Sequence, residues 1–274
     1  MSSIKMLKSL FAYFFNASIG RLTATPARIR VFTFHDISND EHDLGSISPK
    51  RFGEFLGLLE DEGYTSIDCD LLISGRQDML SLDHAVLLTF DDGLVSHREI
   101  AAEMLHQSGH TAIFFPITAF VCDRRERTYF GGRERTFMNK KDLYELGKLG
   151  LEVGSHSHTH PLCGQLSEKE FVYQAEVSKR TLENVLGREV MSFAYPFGRA
   201  GAYSAITESV LESSGYKLAF TQEGTRMRLS TSLLTLPRVS VDRSDTIKTL
   251  KQKLLGQHDL LHEVRKYMRN SFPF

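Results

Sequence analysis

Apolar and polar residues alternate along the chain in blocks that predict a strand followed by a helix, many times over. Residues 85–90 and 111–115 form continuous apolar runs, which are typical of strands buried on both faces. Residues 48–63 and Glu168–Leu186 carry apolar positions at helical spacing, and a glycine marks the end of each stretch. Alternation of this kind predicts a parallel sheet with helices outside it.

The same patterns recur in the rest of the chain. The other predicted strands are Ile29–Phe34 and residues 151–154, 191–195, 217–221 and 234–241, and the other predicted helices are residues 96–108, 140–149 and Ala205–Ser213. Six or seven repeats without a long linker favour one barrel-like α/β domain over two Rossmann-like halves. We assign residues 29–245 to this domain, residues 1–28 to an N-terminal segment and residues 246–274 to a C-terminal helix.

The N-terminal segment holds Lys5 and Lys8 before a short apolar run at residues 10–15. This run is well below the roughly 20 apolar residues that a membrane-spanning helix needs. It also lacks the longer apolar stretch and the small-residue cleavage site of a signal peptide. Two interpretations stay open: a helix packed on the domain, or an amphipathic segment on a membrane surface. The expected location is cytoplasmic or peripheral to the membrane.

Charge and cysteine content exclude several classes of protein. The 274 residues include 33 Lys and Arg and 34 Asp and Glu, a balance that argues against a nucleic-acid-binding protein. Three scattered cysteines make neither a disulfide framework nor a CxxC zinc site, and they fit a reducing compartment. Residues 123–141 depart from the charge balance, with seven basic residues against three acidic ones. This stretch is either a solvated surface insert or a flap that meets an anionic substrate.

Two adjacent carboxylates, Asp91 and Asp92, come directly after the apolar run at residues 85–90. Ligands and catalytic residues collect at the carboxyl ends of parallel strands in α/β folds. Neighbouring side chains of an extended chain point to opposite sides, so the two carboxylates can serve different partners. A polar turn or a helix N-cap is the alternative, because aspartate favours both.

Three histidines within five residues, His156, His158 and His160, follow the predicted strand at residues 151–154. Two imidazoles at i and i+4 on a tight turn can converge on one metal ion, and His156 and His160 have that spacing. Two imidazoles and one carboxylate leave open positions on the metal, as in catalytic rather than structural divalent sites. The sequence therefore predicts a metal site at this strand end.

Together these segments resemble a known family of enzymes. The similarity to the first two motifs of polysaccharide deacetylases of the NodB-homology type, the fourth family of carbohydrate esterases, rests on residues 89–93 (TFDDG) and 154–161 (GSHSHTHP). Residues 193–198 (FAYPFG) resemble the third motif, and the similarity covers nearly the whole predicted domain. The resemblance implies a single distorted barrel of (β/α)7 type and a metal-dependent hydrolase.

The resemblance also implies roles for individual residues. Asp91 would be the general base that deprotonates the attacking water, and Phe197 would offer its backbone N–H to the oxyanion. Asp92, His156 and His160 would hold one divalent metal ion, which is usually Zn²⁺ and sometimes Co²⁺ or Ni²⁺ in such enzymes.

Further positions around the motifs are expected to assist. Tyr195, Pro196 and Arg238 would contact the substrate. Ser157 would support the loop of the second motif. His158 fills a variable position, so it is not expected to be a ligand.

The chain departs from the family pattern in two places. Many members carry an arginine near the start of the third motif, where this chain is apolar, and a late histidine as general acid, which residues 236–241 lack. A subgroup that acts on poly-N-acetylglucosamine has this last motif rearranged, with the acid on the first strand, and residues 33–37 (TFHDI) resemble that arrangement. His35 is therefore expected to protonate the leaving amine; the alternative is a buried structural imidazole paired with Asp36.

The sequence as a whole predicts an enzyme that removes N-acetyl groups from an amino-sugar polysaccharide or oligosaccharide during bacterial surface-polysaccharide synthesis. The expected partner is the acetylated glycan, and membrane contact is expected only through the N-terminal segment. Two alternatives stay open: a deacylase of a small or lipid-linked amino sugar, and a non-catalytic glycan-binding module. The complete set of Asp91, Asp92, His156 and His160 argues against the binding module, because such a module needs no base next to a metal ligand.

Overall fold

The computed structural model describes residues 29–74, 84–121, 126–129, 133–224, 227, 231–257 and 259. The predicted N-terminal segment, residues 1–28, lies outside the described residues, as does nearly all of the predicted C-terminal helix beyond residue 257. Every helix in the described part of the chain is too short or too polar to cross a membrane.

Within the described residues the chain forms twelve strands and seven α-helices. The strands are β1 (Ile29–Phe34), β2 (Asp36–Ile37), β3 (Ser46–Ile47), β4 (Thr65–Ser66), β5 (Ala85–Asp92), β6 (Ile113–Pro116), β7 (Glu126–Tyr129), β8 (Arg133–Thr136), β9 (Glu152–Val153), β10 (Ser192–Ala194), β11 (Leu218–Phe220) and β12 (Val239–Ser240). The helices are α1 (Pro49–Asp61), α2 (Cys69–Ser74), α3 (Ala102–Gln107), α4 (Lys140–Lys148), α5 (Glu168–Leu186), α6 (Ala205–Ser213) and α7 (Ile247–Leu254). A π-helical turn, His97–Ala101, precedes α3.

Seven of the strands form a ring in which all pairing is parallel. β12, β1, β5, β6 and β9 pair in this order, and β10 pairs with β11. Single parallel bridges join the two groups: Ser155 with Phe193 between β9 and β10, and Phe220 with Leu236 just before β12. The predicted distorted (β/α)7 barrel is confirmed. It has two seams, one between β9 and β10 and one between β11 and β12, and an isolated bridge joins the strands at each seam.

The central strands are buried along their whole length. Every residue of β1 and β5 is buried, which explains why both strands appear in the sequence as continuous apolar runs. Phe34, Phe90 and Phe114 stack across β1, β5 and β6, with ring centroids 5.1 Å and 4.8 Å apart. The next residues along the first two strands are His35 and Asp91, so this aromatic layer directly supports the polar strand ends.

Most predicted elements are confirmed, and the differences have physical reasons. Helices α5 and α6 have the predicted bounds, because a serine N-cap begins each. The predicted strand at residues 234–241 is shortened to Val239–Ser240, since Pro237 cannot donate a ladder hydrogen bond. The basic stretch at residues 123–141 contains an antiparallel hairpin of β7 and β8, which the sequence interpretation treated as a loop.

A buried ion pair lies at the opposite end of the barrel, where β1 begins. Arg30 donates to the two carboxylate oxygens of Asp259 at 2.8 and 2.7 Å and to the carbonyl of Leu254 at 3.2 Å. A Cβ added at Gly256 would lie 2.1 Å from the Arg30 guanidinium, so only glycine fits there. Leu250 and Leu254 belong to the main core cluster. The described part of the predicted C-terminal helix is therefore packed against the domain, in the same layer as helix α1.

Candidate active site

Polar residues gather at the carboxyl ends of the ring strands. Asp91 and Asp92 are the last residues of β5, His35 follows β1, and His156 and His160 follow β9. α/β folds place ligands and catalytic groups at this end. The fold therefore brings together residues that are up to 125 positions apart, since His35 and His160 share one edge of the barrel.

Asp92, His156 and His160 each present one ligand atom to a common point. Their ligand atoms all lie within 4.8 Å of one another. Asp92 Oδ1 is 3.5 Å from His156 Nε2 and 3.7 Å from His160 Nε2. Two donors at about 2.0–2.2 Å from a tetrahedral ion stand about 3.4 Å apart, so these separations fit a zinc-sized cation. One carboxylate and two imidazoles also suit zinc, cobalt or nickel.

A hydrogen bond and burial prepare the two histidines for this role. The Nδ1–H of His156 donates to the main-chain carbonyl of Ala194 at 2.7 Å, which leaves Nε2 unprotonated and close to Asp92. Burial lowers the pKa of His156 to about 4 and that of His160 to about 4 as well. Both imidazoles are therefore neutral near neutral pH, which is the form that binds a metal ion.

Helix α5 braces the loop that carries both histidines. Gln174 Oε1 accepts a hydrogen bond from the backbone N–H of His158 at 3.0 Å. Ser157 Oγ accepts one from the backbone N–H of His160 at 3.0 Å, so Ser157 supports the loop as the sequence predicts. His158 lies outside the group of Asp92, His156 and His160, the ligand trio. Its Nδ1 is 3.0 Å from the Thr118 hydroxyl.

Several site residues have a backbone conformation that residues other than glycine rarely adopt. The φ angle is +79° at Asp92, +63° at Ser157, +61° at His160 and +64° at Phe197. Among the described residues, His84 is the one other non-glycine residue with positive φ. Each such position costs on the order of 1–3 kcal/mol, and strained positions of this kind cluster at functional sites. The strain of this barrel is thus concentrated where the motifs lie.

Asp91 is held by a buried arginine. Arg238 Nη1 and Nη2 each donate to one carboxylate oxygen of Asp91 at 2.7 Å. Burial alone would raise the pKa of Asp91, but the guanidinium outweighs burial and holds that pKa well below its usual range. Asp91 is therefore an ionised carboxylate, and its Oδ2 lies 3.9 Å from His156 Nε2. A carboxylate has about four acceptor positions, so acceptor capacity remains after both arginine bonds are made.

Tyr195, Pro196 and Arg238 are the residues that the sequence predicts to contact the substrate. All three side chains are buried. Arg238 uses its guanidinium on Asp91 and on the carbonyl of Thr221, to which Nε donates at 3.1 Å. The physical reason is reach: β12 lies next to β1, which lies next to β5, and a long arginine side chain spans that distance inside the barrel. The guanidinium of Arg238 therefore pairs with Asp91, and Tyr195 and Pro196 are packed within the third motif.

Phe197 lies in a tight turn after β10 that reaches the ligand trio. Its ring centroid is 4.8 Å from that of His160, and the residue is 37% exposed. The turn depends on Gly198, whose carbonyl accepts the backbone N–H of Gln222 at 2.7 Å and where an added Cβ would lie 2.6 Å from the same nitrogen. The Phe197 backbone is thus fixed beside the candidate metal ligands.

An open cleft of about 760 Å³ joins these groups. The ligand trio, Asp91 and Phe197 line it together with His35, so the structure brings His35 into the same cleft. Sequence reasoning missed other lining residues, among them Leu44 and Arg199. The sequence holds two signals that could have found them: Leu44 is an isolated apolar residue in a polar stretch, and Arg199 follows the third motif directly.

The basic hairpin supplies part of the cleft wall. Arg135 of β8 lines the cleft, forms a short hydrogen bond with Asp43 and has its Nε 3.9 Å from Asp36 Oδ2. The charge of Arg135 is therefore already paired with carboxylates. Its contribution is to hold the loop around Asp43 against the hairpin, on the side of the cleft that contains His35.

A parallel α/β barrel with acidic and imidazole groups gathered at its carboxyl end is the architecture of a barrel enzyme. The family profile described as Polysaccharide deacetylase matches residues 81–219, which is half of the chain. The match contains Asp91, the ligand trio and Phe197. The chain belongs to the polysaccharide deacetylase family.

Similar proteins agree with this membership. YxkH of Bacillus subtilis (strain 168), which is named for the same family, is 24% identical over 222 residues that cover 80% of this chain and 73% of YxkH. The Streptococcus pyogenes deacetylase PplD in complex with acetate matches with a TM-score of 0.71 at 24% identity, over 84% of this chain and 99% of that one. A de-N-acetylase from Aggregatibacter actinomycetemcomitans matches with a TM-score of 0.71 at 16% identity, over 82% of this chain and 99% of that one. These structures share the fold of this chain.

Proposed function

We propose that this protein is a metal-dependent hydrolase that removes N-acetyl groups from an amino-sugar polysaccharide or oligosaccharide during synthesis of a bacterial surface polysaccharide. One observation carries the proposal: an ionised, buried carboxylate, Asp91, borders a ligand set of one aspartate and two histidines in an open cleft. Family membership supports the reaction class. Two structures of the same fold are described as a deacetylase in complex with acetate and as a de-N-acetylase.

Asp91 takes the proton of the attacking water. Its negative charge makes it an acceptor at neutral pH, and Arg238 fixes its orientation through two hydrogen bonds. A general base of this kind typically contributes about 10²–10⁴-fold to the rate.

Asp92, His156 and His160 hold one divalent ion, Zn²⁺ by preference, which when bound lowers the pKa of water and polarises the acetyl carbonyl. The two imidazoles need no deprotonation to bind it, because burial already keeps them neutral. The backbone N–H of Phe197 stabilises the carbonyl oxygen as it becomes negative, a contribution that is typically worth about 10²–10³-fold.

His35 protonates the leaving amine. An amine leaves an amide slowly unless it is protonated, and an imidazole is suited to this transfer near neutral pH. His35 lines the same cleft as the base and the ligand trio, which supports this assignment.

Acetate release from defined N-acetylated glucosamine oligomers tests the proposed function. The protein is assayed as prepared, after chelation, and after addition of Zn²⁺, Co²⁺ or Ni²⁺, with Asp92→Ala as the test variant and His158→Ala as a neighbouring control. We expect chelation and Asp92→Ala to abolish release and His158→Ala to preserve most of it. Release that survives complete chelation would exclude metal dependence, and glycan binding without any acetate release would identify a non-catalytic binding module.

A further inference from the structure

His97 is a fully buried histidine that the chemistry above does not use. Its ring centroid lies 5.4 Å from that of Phe90 and 5.7 Å from that of Phe114. Burial lowers the pKa of His97, so the ring is neutral and carries one N–H. Its Nε2–H donates to the main-chain carbonyl of His35 in a short hydrogen bond. The buried ring is thus attached to the backbone of His35.

The preceding residue, Ser96, binds the positions after His35. The Ser96 hydroxyl donates to Asp36 Oδ1 at 2.6 Å and accepts from the backbone N–H of Ile37 at 3.4 Å. Ser96 and His97 therefore contact three successive residues at the point where β1 ends and β2 begins. These contacts fix the direction in which the backbone leaves β1.

The backbone around His97 is itself unusual. His97–Ala101 forms a π-helical turn directly before the α-helix Ala102–Gln107. Turns of this kind are rare and occur frequently at functional sites. Here the turn places His97 against Phe90 and Phe114, in the layer between the sheet and the surrounding helices, while Ser96 reaches Asp36.

The same segment also carries the base and one metal ligand. Four residues separate Asp92 from His97, so the end of β5 continues directly into the residues that hold His35. The pairing of β1 with β5 and this short stretch of chain therefore act together on the position of His35 relative to Asp91.

Packing alone does not explain a histidine at this position. A phenylalanine would fill the space beside Phe90 and Phe114 without burying a polar nitrogen. His97 Nδ1 has no hydrogen-bond partner among the described residues, and such a group costs about 1–3 kcal/mol. What the imidazole adds is the donor for the His35 carbonyl.

We propose that His97 and Ser96 are positioning residues that fix the backbone at His35 and Asp36, so that the His35 imidazole is held where it can protonate the leaving nitrogen. This inference rests on the proposed acid role of His35. Neither residue needs to touch the reacting atoms, because both act through His35.

Comparing an amide with an ester tests the inference, because the departure of an activated phenolate needs no proton. Initial rates are measured on an N-acetylated glucosamine oligomer and on an activated aryl acetate, with zinc occupancy determined for every variant. Displacing a reacting group by about 1 Å can cost about 10²-fold in rate, so we expect His97→Phe to lower kcat on the amide by about 10- to 100-fold. The ester rate and zinc occupancy should change little.

Three further variants test whether the effect on the amide rate comes from the hydrogen bond to His35. His97→Gln restores an N–H donor at a similar reach and should recover much of the amide rate. Ser96→Ala should shift the amide-to-ester ratio in the same direction by a smaller factor. His110→Phe removes another buried imidazole, near the amino end of β6, and should leave the ratio unchanged.

A double-mutant cycle separates this inference from the proposed function. In a His35→Ala background, His97→Phe should cause no further loss on the amide, because the residue through which it acts is gone. Equal losses on amide and ester, or fully additive losses in the double variant, would overturn the inference while leaving the acid role of His35 intact. If His35→Ala itself spares the amide reaction, the acid role fails and the inference falls with it; absence of acetate release by the wild type would instead refute the proposed deacetylase.

Discussion

Replacing Asp91 by asparagine removes both tasks that this carboxylate performs. In the structure it accepts both Nη donors of Arg238 at 2.7 Å, and in the proposed reaction it accepts the proton of the attacking water. Asparagine has no negative charge, and one of its two oxygens is replaced by an NH₂ donor. In Asp91→Asn that donor would face the N–H groups of Arg238, so the pairing and the base are lost together.

The expected loss of stability is large. Removing one partner of a buried ion pair typically costs about 3–5 kcal/mol, because the other charge stays buried without compensation. In a chain of this size 1 kcal/mol moves Tm by about 2–4 °C, so Asp91→Asn should lower Tm by about 6–20 °C. Loss of the general base should lower kcat by about 10²–10⁴-fold at temperatures where the variant is folded.

A second substitution distinguishes these two losses. Arg238→Met in the Asp91→Asn background removes the stranded charge and keeps most of the buried volume, so Tm should recover while kcat stays low. Thermal unfolding by circular dichroism and acetate release well below the lowest Tm give the two quantities, with zinc content as the control. An unchanged Tm in Asp91→Asn would refute the energetic argument, and near-wild-type kcat at full zinc occupancy would refute the base assignment.

Three other outcomes follow from the structure. Arg30→Met should destabilise the protein by about 3–5 kcal/mol in urea unfolding, because Asp259 is then buried without its partner, and Asp259→Leu added to it should restore stability; no loss in the single variant would contradict the ion-pair argument. The metal-free protein should lose stability as the pH falls from about 6.5 towards about 4, because the unfolded chain binds protons on His156 and His160 that the folded chain does not; urea unfolding at several pH values checks this, and stability that rises on acidification would contradict it. His160→Ala should abolish stoichiometric zinc binding in calorimetric titration while His158→Ala preserves it, and equal binding by both variants would exclude the ligand assignment.

The strands and the chemistry at their ends could be predicted because both are local in sequence. Strands that are buried on both faces appear as continuous apolar runs, and Asp91 and Asp92 follow one of them directly. His156 and His160 follow another, at a spacing that itself indicates a shared ligand. Each of these signals lies within about ten residues, so one sequence was sufficient to find them.

Arg238 and His97 could not be predicted in the same way, because their partners are distant. Arg238 is 147 residues from Asp91, and His97 is 62 residues from His35. Nothing near Arg238 in the sequence indicates that its side chain crosses the barrel interior, so a position near the last motif was interpreted as a substrate contact. His97 occupies a stretch with helical periodicity, where a π-helical turn and its hydrogen bond leave no local pattern.

The two seams of the barrel separate the strands that carry Asp92 from those that lead to Phe197. β10 and β11 pair with each other and meet their neighbours through one isolated bridge and a few backbone hydrogen bonds on each side, whereas β1 and β5 share a six-residue ladder. We therefore expect the amide hydrogens of β10 and β11 to exchange by local opening at a lower free energy than those of β1 and β5. The turn that holds Phe197 follows β10 of this pair, whereas Asp92 belongs to the larger group of strands. His156 spans one seam through its hydrogen bond to Ala194. An ion bound by His156 would therefore stabilise the contact across this seam. Amide exchange in β10 should slow when the metal ion is bound.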